Sequence, residues 1–286
     1  MYTQDLDDYL STRHDNGADF WATPDHKIGV GGPFSTLNAL LILSEFNLTD
    51  LSDNTVNAAT QANLNEALQG AAQLVLDCIQ KDGRVRVAPK GAIYPCHTTI
   101  AAAALCRNGY AQDERVISSL NYLISNPYED GGWRCNKFIW GRGPETEHSN
   151  PGVTLWALDA FRCAGWNNKE TSLDRAVETL LDHWTVRVPT GPCHFGIGGQ
   201  YMKVEYPFLR YNLFYTTYVL SFYKAAKHDP RFLEMLDALR GKLNDNGQLV
   251  VERPHAKLAK LKFCKMGEPS EMATGRYGEI LTNLKQ

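Results

Sequence analysis

The sequence predicts an all-α protein built of helical hairpins in two concentric layers. Three observations carry that reading: apolar residues recur at helical spacing over most of the chain, strand-like alternation is scarce, and half-polar helices exchange regularly with wholly apolar ones. In Leu64–Gln80, the residues Leu64, Leu68, Ala71, Ala72, Val75 and Ile79 recur three or four positions apart and form one stripe. Thr98–Cys106 (TTIAAAALC) is apolar all round, which predicts a helix covered on every side. Val116–Ile124 and Leu173–Trp184 are again amphipathic, whereas Val153–Cys163 and Leu209–Tyr223 are mostly apolar. Only short stretches such as Arg84–Val87 and Gln248–Val251 alternate as a strand would.

The exchange has a period. Each unit reads as a polar-faced helix, a Gly turn, a short extended piece, a loop and an apolar helix. The turns are Asp82-Gly83, Asp130-Gly131-Gly132-Trp133, Thr190-Gly191 and Asn246-Gly247, with Pro24-Asp25 opening a truncated first copy. The apolar helices are expected to begin near Ser35, Thr98, Pro151, Pro207 and Pro269. Proline suits such starts, because the N–H it lacks would have no partner in a first turn. Nothing between units reads as a flexible linker. Residues 1–286 are therefore expected to form one closed domain of five to six hairpin repeats, with an N-terminal helix placed to complete the ring.

Composition narrows the partners. The 286 residues carry a net charge of −3, so bulk electrostatics favour neither nucleic acid nor an anionic membrane. No apolar run approaches the roughly 20 residues of a membrane span. The start MYTQDLDDYL is too acidic for a secretory signal, and seven cysteines, an odd number, suggest reduced thiols and a cytoplasmic location. The expected partner is a small, apolar molecule bound inside the ring. No nucleotide cofactor is indicated, since no Lys-Ser/Thr follows Gly196, Gly198 and Gly199.

The cysteines and histidines fall in register. Cys96-His97 precedes the second apolar helix, Cys135 follows the Asp-Gly-Gly-Trp turn, His148 precedes the third apolar helix, and Cys193-His194 stands in GPCHFGIGG. Stacked around a ring, these positions share one rim, where inner-helix N-termini favour thiolates. Thiolates and imidazoles are zinc ligands, and three ligands with an open position would make a catalytic site. His97, Cys135 and Cys193 or His194 are the first candidates, with Cys96 and His148 as alternates. The competing expectation is that the thiols are small core residues. Cys78, Cys106 and Cys163 lie on helix patterns and are expected to pack.

The Asp-Gly-Gly-Trp turn of NPYEDGGWRC, followed by an apolar helix, resembles the prenyltransferase and squalene-oxidase repeat of terpenoid cyclases and protein prenyltransferase β subunits. The resemblance covers nearly the whole chain, with one full copy of the turn. It implies an α/α toroid with a central cavity, and an enzyme of the cyclase or transferase type acting on an apolar, isoprenoid-like substrate. It also implies how zinc would serve, as an activator of a thiolate, and CHFG looks like the Cys-His-Gly element of lanthipeptide-type cyclases.

Other groups compete for roles. Asp5-Leu6-Asp7-Asp8 spells the acid motif of class II terpene cyclases, but it reads as the first turn of a surface helix. The loop WGRGPETEHSNPG carries Arg142, Glu145, Glu147 and His148 at the expected mouth, as either substrate-orienting groups or a solvated loop. Glu205, Arg210 and Tyr211 begin the aromatic apolar helix, where Arg210 could clamp an anion or stack on rings. Lys257, Lys260, Lys262 and Lys265 read as a solvated face. Two alternatives stand beside the zinc enzyme: metal-free acid catalysis by carboxyls such as Asp7, Glu145, Glu147 or Glu271, and a non-catalytic carrier or interaction toroid.

Overall fold

The computed structural model describes residues 2–48 and 57–285, and among these the regular elements are helices. Helix α1 (Thr3–Ser11) opens the chain. Four hairpins follow: α2 (Thr36–Leu48) with α3 (Ala58–Asp77), α4 (Pro95–Arg107) with α5 (Glu114–Ser125), α6 (Pro151–Cys163) with α7 (Leu173–Val186), and α8 (Leu213–Leu220) with α10 (Pro230–Arg240), across the short α9 (Lys224–Lys227). Helix α11 (Glu271–Asn283) comes last. The expected strand stretches reduce to isolated bridges, Ile79 to Val85 and Leu243 to Leu249, which close the Gly turns after α3 and α10.

The apolar helices α2, α4, α6, α8 and α11 pack each on the next, and Arg276 of α11 bonds Glu45 of α2 at 2.8 Å to close the ring. Their partners α3, α5, α7 and α10 lie outside, with one amphipathic stripe buried: Leu64, Leu68, Ala71 and Val75 on α3, Val116, Leu120 and Leu123 on α5. Helix α1 takes the remaining outer place. It packs on α3, and its Asp5 carboxylate accepts the Phe263 N–H at 2.7 Å. The chain is thus an α/α toroid, as the helix alternation predicted.

One element departs from the sequence pattern. The apolar stretch expected to be helical from Pro207 or Leu209 is helical only from Leu213, where Asn212 caps α8 by accepting the Tyr215 N–H at 2.9 Å. The preceding residues run irregularly into the ring. There Tyr206 donates to Glu45 at 2.8 Å, and Phe208 stacks on Tyr215 with centroids 4.9 Å apart. Pro207 supplies no N–H for a helix, and burying these rings on the axis replaces helical hydrogen bonding as the stabilising term.

The ring is bridged by charge. Arg107 spans α2 and α6, with Nη1 3.0 Å from Glu45 and Nη2 2.6 Å from Asp159. Asp159 also takes Arg162 Nε at 2.6 Å and the Tyr215 hydroxyl at 2.7 Å. Burial alone would raise the Glu45 and Asp159 carboxyls. The charges of Arg276 and Arg107 on Glu45, and of Arg107 and Arg162 on Asp159, instead hold both below the usual carboxylate range. Every inner helix contributes to this layer or touches it, so the axis is filled with side chains at this level.

The repeats share a smaller device. The fourth residue of α4, α6 and α11 is threonine, and its hydroxyl accepts the backbone N–H of the extended piece before that helix. The pairs are Val85 with Thr98 at 3.0 Å, Trp133 with Thr154 at 3.1 Å and Leu249 with Thr274 at 3.1 Å. Thr154→Val keeps the shape and orphans the buried Trp133 N–H. It is expected to cost about 1–3 kcal/mol in urea unfolding, with an unchanged m-value.

Candidate functional site

Asn38 lies seven residues before Glu45, Ile100 seven before Arg107, and Trp156 three before Asp159. Helical spacing therefore sets these three on the ring-facing side, one or two turns toward the helix N-termini from the ion layer. A cavity of about 310 Å³ occupies that place. Its apolar wall is Val30, Leu37, Val87, Ile100 and Trp156, and its polar wall is Lys27, Ser35, Asn38, Cys96, His97 and Lys137. Among the described residues no carboxylate lines it, while the N-termini of α2 and α4 add partial positive charge. Trp156 Nε1, a donor, has no partner among the described residues. The mouth is thus apolar in depth and positive at the lip.

Beside it the fold gathers three thiols. Cys96 stands in the first turn of α4, Cys135 follows the Gly131 turn, and Cys193 sits in the hairpin whose Thr190 and Phe195 are bridged. The Cys193 thiol donates to the Cys135 carbonyl at 3.3 Å, and the thiols of Cys193 and Cys96 neighbour the Cys135 sulfur. Against the opposing cost of burial, these contacts draw the Cys135 thiol far below its ordinary range, while its two neighbours are pushed up.

The histidines divide. His97 borders the cluster and the cavity, with Nε2 2.9 Å from Lys137 Nζ. Burial first, and then the Lys137 charge, lower its pKa to about 4, so the ring is neutral near pH 7. With Lys137 donating to Nε2, the ring proton belongs on Nδ1, a buried atom without a partner among the described residues. His194 turns elsewhere. Its backbone is left-handed (φ 59°), and its Nε2 lies 3.6 Å from Glu145. His148 is exposed, 3.8 Å from Asp130. Among the described residues no three His, Cys, Asp or Glu side chains already stand as a coordination set. The three thiols are grouped around Cys135, with the Cys193 thiol bonded to backbone carbonyls.

The remaining candidates lie apart from the cavity wall. Glu145 accepts from the Gly143 N–H, and Glu147 lies 3.4 Å from Arg134. Glu205 is buried against Arg210 with Arg253 3.8 Å away, and its carboxyl is raised by burial in spite of both. The Tyr211 hydroxyl bonds His183 Nδ1 at 2.7 Å, beneath α7. The acidic run on α1 is structural: Asp5 receives Phe263, Asp7 receives the Thr60 hydroxyl at 2.9 Å, and Asp8 receives Gln4 at 2.7 Å. Of the lysine cluster, Lys257, on a short 3₁₀ turn, donates to the Gly31 carbonyl at 3.3 Å, and Lys265, just after another, pairs with Glu268.

Sequence reasoning overlooked Lys27, Asn38, Lys137 and Trp156. Trp156 had a signal, lying one turn from the charged Asp159 inside an otherwise apolar helix.

No protein-family profile matches the chain, and no curated protein matches it. Among solved structures it is similar to a type II terpene cyclase from Scytonema, determined with its product merosterolic acid A. The identity is 13%, the TM-score is 0.42, and the match covers 100% of this chain and 81% of that one. Among the described residues no helix is long and apolar enough to cross a membrane.

Proposed function

We propose that the protein is an enzyme of the terpene cyclase and prenyltransferase kind, acting at the mouth of its ring on a small, largely apolar, isoprenoid-like molecule. The observation that carries this reading is the cavity at the inner-helix rim, walled by Leu37 of α2, Ile100 of α4 and Trp156 of α6. Its polar groups favour a substrate whose head accepts hydrogen bonds: Lys137 supplies positive charge, Lys27 is paired with Asp25, and Trp156 Nε1 supplies a free donor. Lys137 also fixes the orientation of His97, which leaves its Nδ1 proton directed at a group yet to bind.

The reading includes zinc at the rim. What supports it is donor chemistry: Cys96, Cys135 and Cys193 would supply sulfur, and His97 the fourth donor through Nδ1, with its ring proton moved to Nε2 and Lys137 displaced from that atom. The Cys193 thiol would exchange its carbonyl hydrogen bonds for the metal. When bound, zinc would supply thiolate activation or Lewis-acid polarisation. His194 and His148 have no part in this set.

Two measurements test the reading separately. Protein purified without added metal is expected to carry about one equivalent of zinc, lost in Cys135→Ser. Less than about half an equivalent, with no fall in Tm on chelation, would end the zinc component alone. For the cavity, a panel of prenyl alcohols and prenyl diphosphates is expected to quench tryptophan fluorescence and raise Tm, and Trp156→Ala is expected to abolish the quench. Binding to none of the panel, with unaltered fluorescence, would overturn the substrate class.

A further inference from the structure

The segment after Lys137 presents apolar side chains to water. Phe138, Ile139 and Trp140 are 46%, 70% and 65% exposed, among the most exposed large apolar residues described. Their backbone is fixed: the Trp140 N–H donates to the Pro192 carbonyl at 3.0 Å, and the Cys193 thiol donates to the Phe138 carbonyl at 3.5 Å. The Phe138 and Trp140 rings stack, with centroids 5.0 Å apart and planes 14° from parallel. A rigid loop therefore holds three large apolar groups out of the core, against the tendency of such surface to be buried.

The flanking charges say what would cover them. Lys137 and Arg142 bracket the three residues, both exposed. Of the carboxylates that follow, Glu147 pairs with Arg134, and Glu145 accepts the Gly143 N–H with His194 3.6 Å away. An apolar tip with an indole, ringed by cations and adjoining a cavity that Lys137 itself lines, matches a lipid headgroup boundary more closely than a protein groove. The overall charge of −3 conceals this local arrangement. We propose that Phe138, Ile139 and Trp140 dock the lip of the ring onto an anionic lipid surface, with Lys137 and Arg142 at headgroup level. The proposal stands whether or not the cavity turns over an isoprenoid-like substrate.

The test is co-sedimentation of the full chain with sucrose-loaded vesicles of phosphatidylcholine alone and of phosphatidylcholine mixed with phosphatidylglycerol. Binding is expected to the mixed vesicles, weakening as salt is added. Ile139→Glu and Trp140→Glu are each expected to lower the partition coefficient at least about tenfold, and Arg142→Gln about fivefold. All three sites are exposed, so the Tm of each variant should match the parent. No binding to mixed vesicles, or variants that bind like the parent, would overturn the proposal. So would concentration-dependent self-association that Ile139→Glu abolishes, which would make the loop a contact between copies of the chain.

Discussion

Arg107→Met is expected to destabilise the fold by about 3–5 kcal/mol, because it leaves Glu45 and Asp159 buried with one guanidinium fewer. The cost falls on the carboxylates left behind, so charge neutralisation should recover part of it. Arg107→Met with Asp159→Asn should be less destabilised than the sum of the two single changes, in a double-mutant cycle read by urea unfolding. The same layer sets a pH dependence. Glu45 and Asp159 are lowered in the folded state, so their contribution is fully present above the ordinary carboxylate range and is lost below it, as pH falls through their folded-state values. Glu205, raised by burial, works in the opposite direction over its own titration. The lowered pair Glu45 and Asp159 predicts a fall in Tm on acidification, and Arg107→Met should flatten it. An equally steep acid limb in the variant would show that the stabilising charges lie elsewhere.

Gly131→Ala is expected to cost about 3 kcal/mol or more, for two reasons that can be separated. The residue has φ 94°, and an added Cβ would stand 2.5 Å from Cβ of Arg175 and 3.0 Å from its backbone carbon. Those atoms belong to α7 and cannot swing aside. Gly247 occupies the matching turn of a later unit with φ 72°, but an added methyl there would meet nothing within 4 Å. Gly247→Ala should therefore register the dihedral strain alone, about 1 kcal/mol. Equal losses at the two positions would remove the role assigned to the contact with α7.

The architecture was legible because it rests on repeated local rules. Apolar stripes separated inner from outer helices, Gly turns marked the units, and Pro151 marked the start of α6 within a residue. The axis was not legible, because its contents are set by distant partners. Glu45, Arg107 and Asp159 each read locally as a stray charge in an apolar helix, and only ring closure brings them together. The irregular entry before α8 escaped for the same reason: Tyr206 and Phe208 follow what they meet inside the ring. At the rim, repeat register found three thiols in one place but could not sort the histidines. The backbone at His194 is left-handed and aims the side chain at Glu145, a choice that spacing does not encode.

Glu45 has a consequence for how the molecule comes apart. Its partners Arg107, Tyr206 and Arg276 lie 62, 161 and 231 positions along the chain. An open array of hairpins can fray from its ends, each unit answering only to its neighbours. Here the first unit is tied to the second, the fourth and the last through one carboxylate. Loosening any of them exposes the same buried charge. The protein should therefore lose its helices in a single transition, with circular dichroism and tryptophan fluorescence reporting one midpoint, and should refold slowly because those contacts must span most of its length.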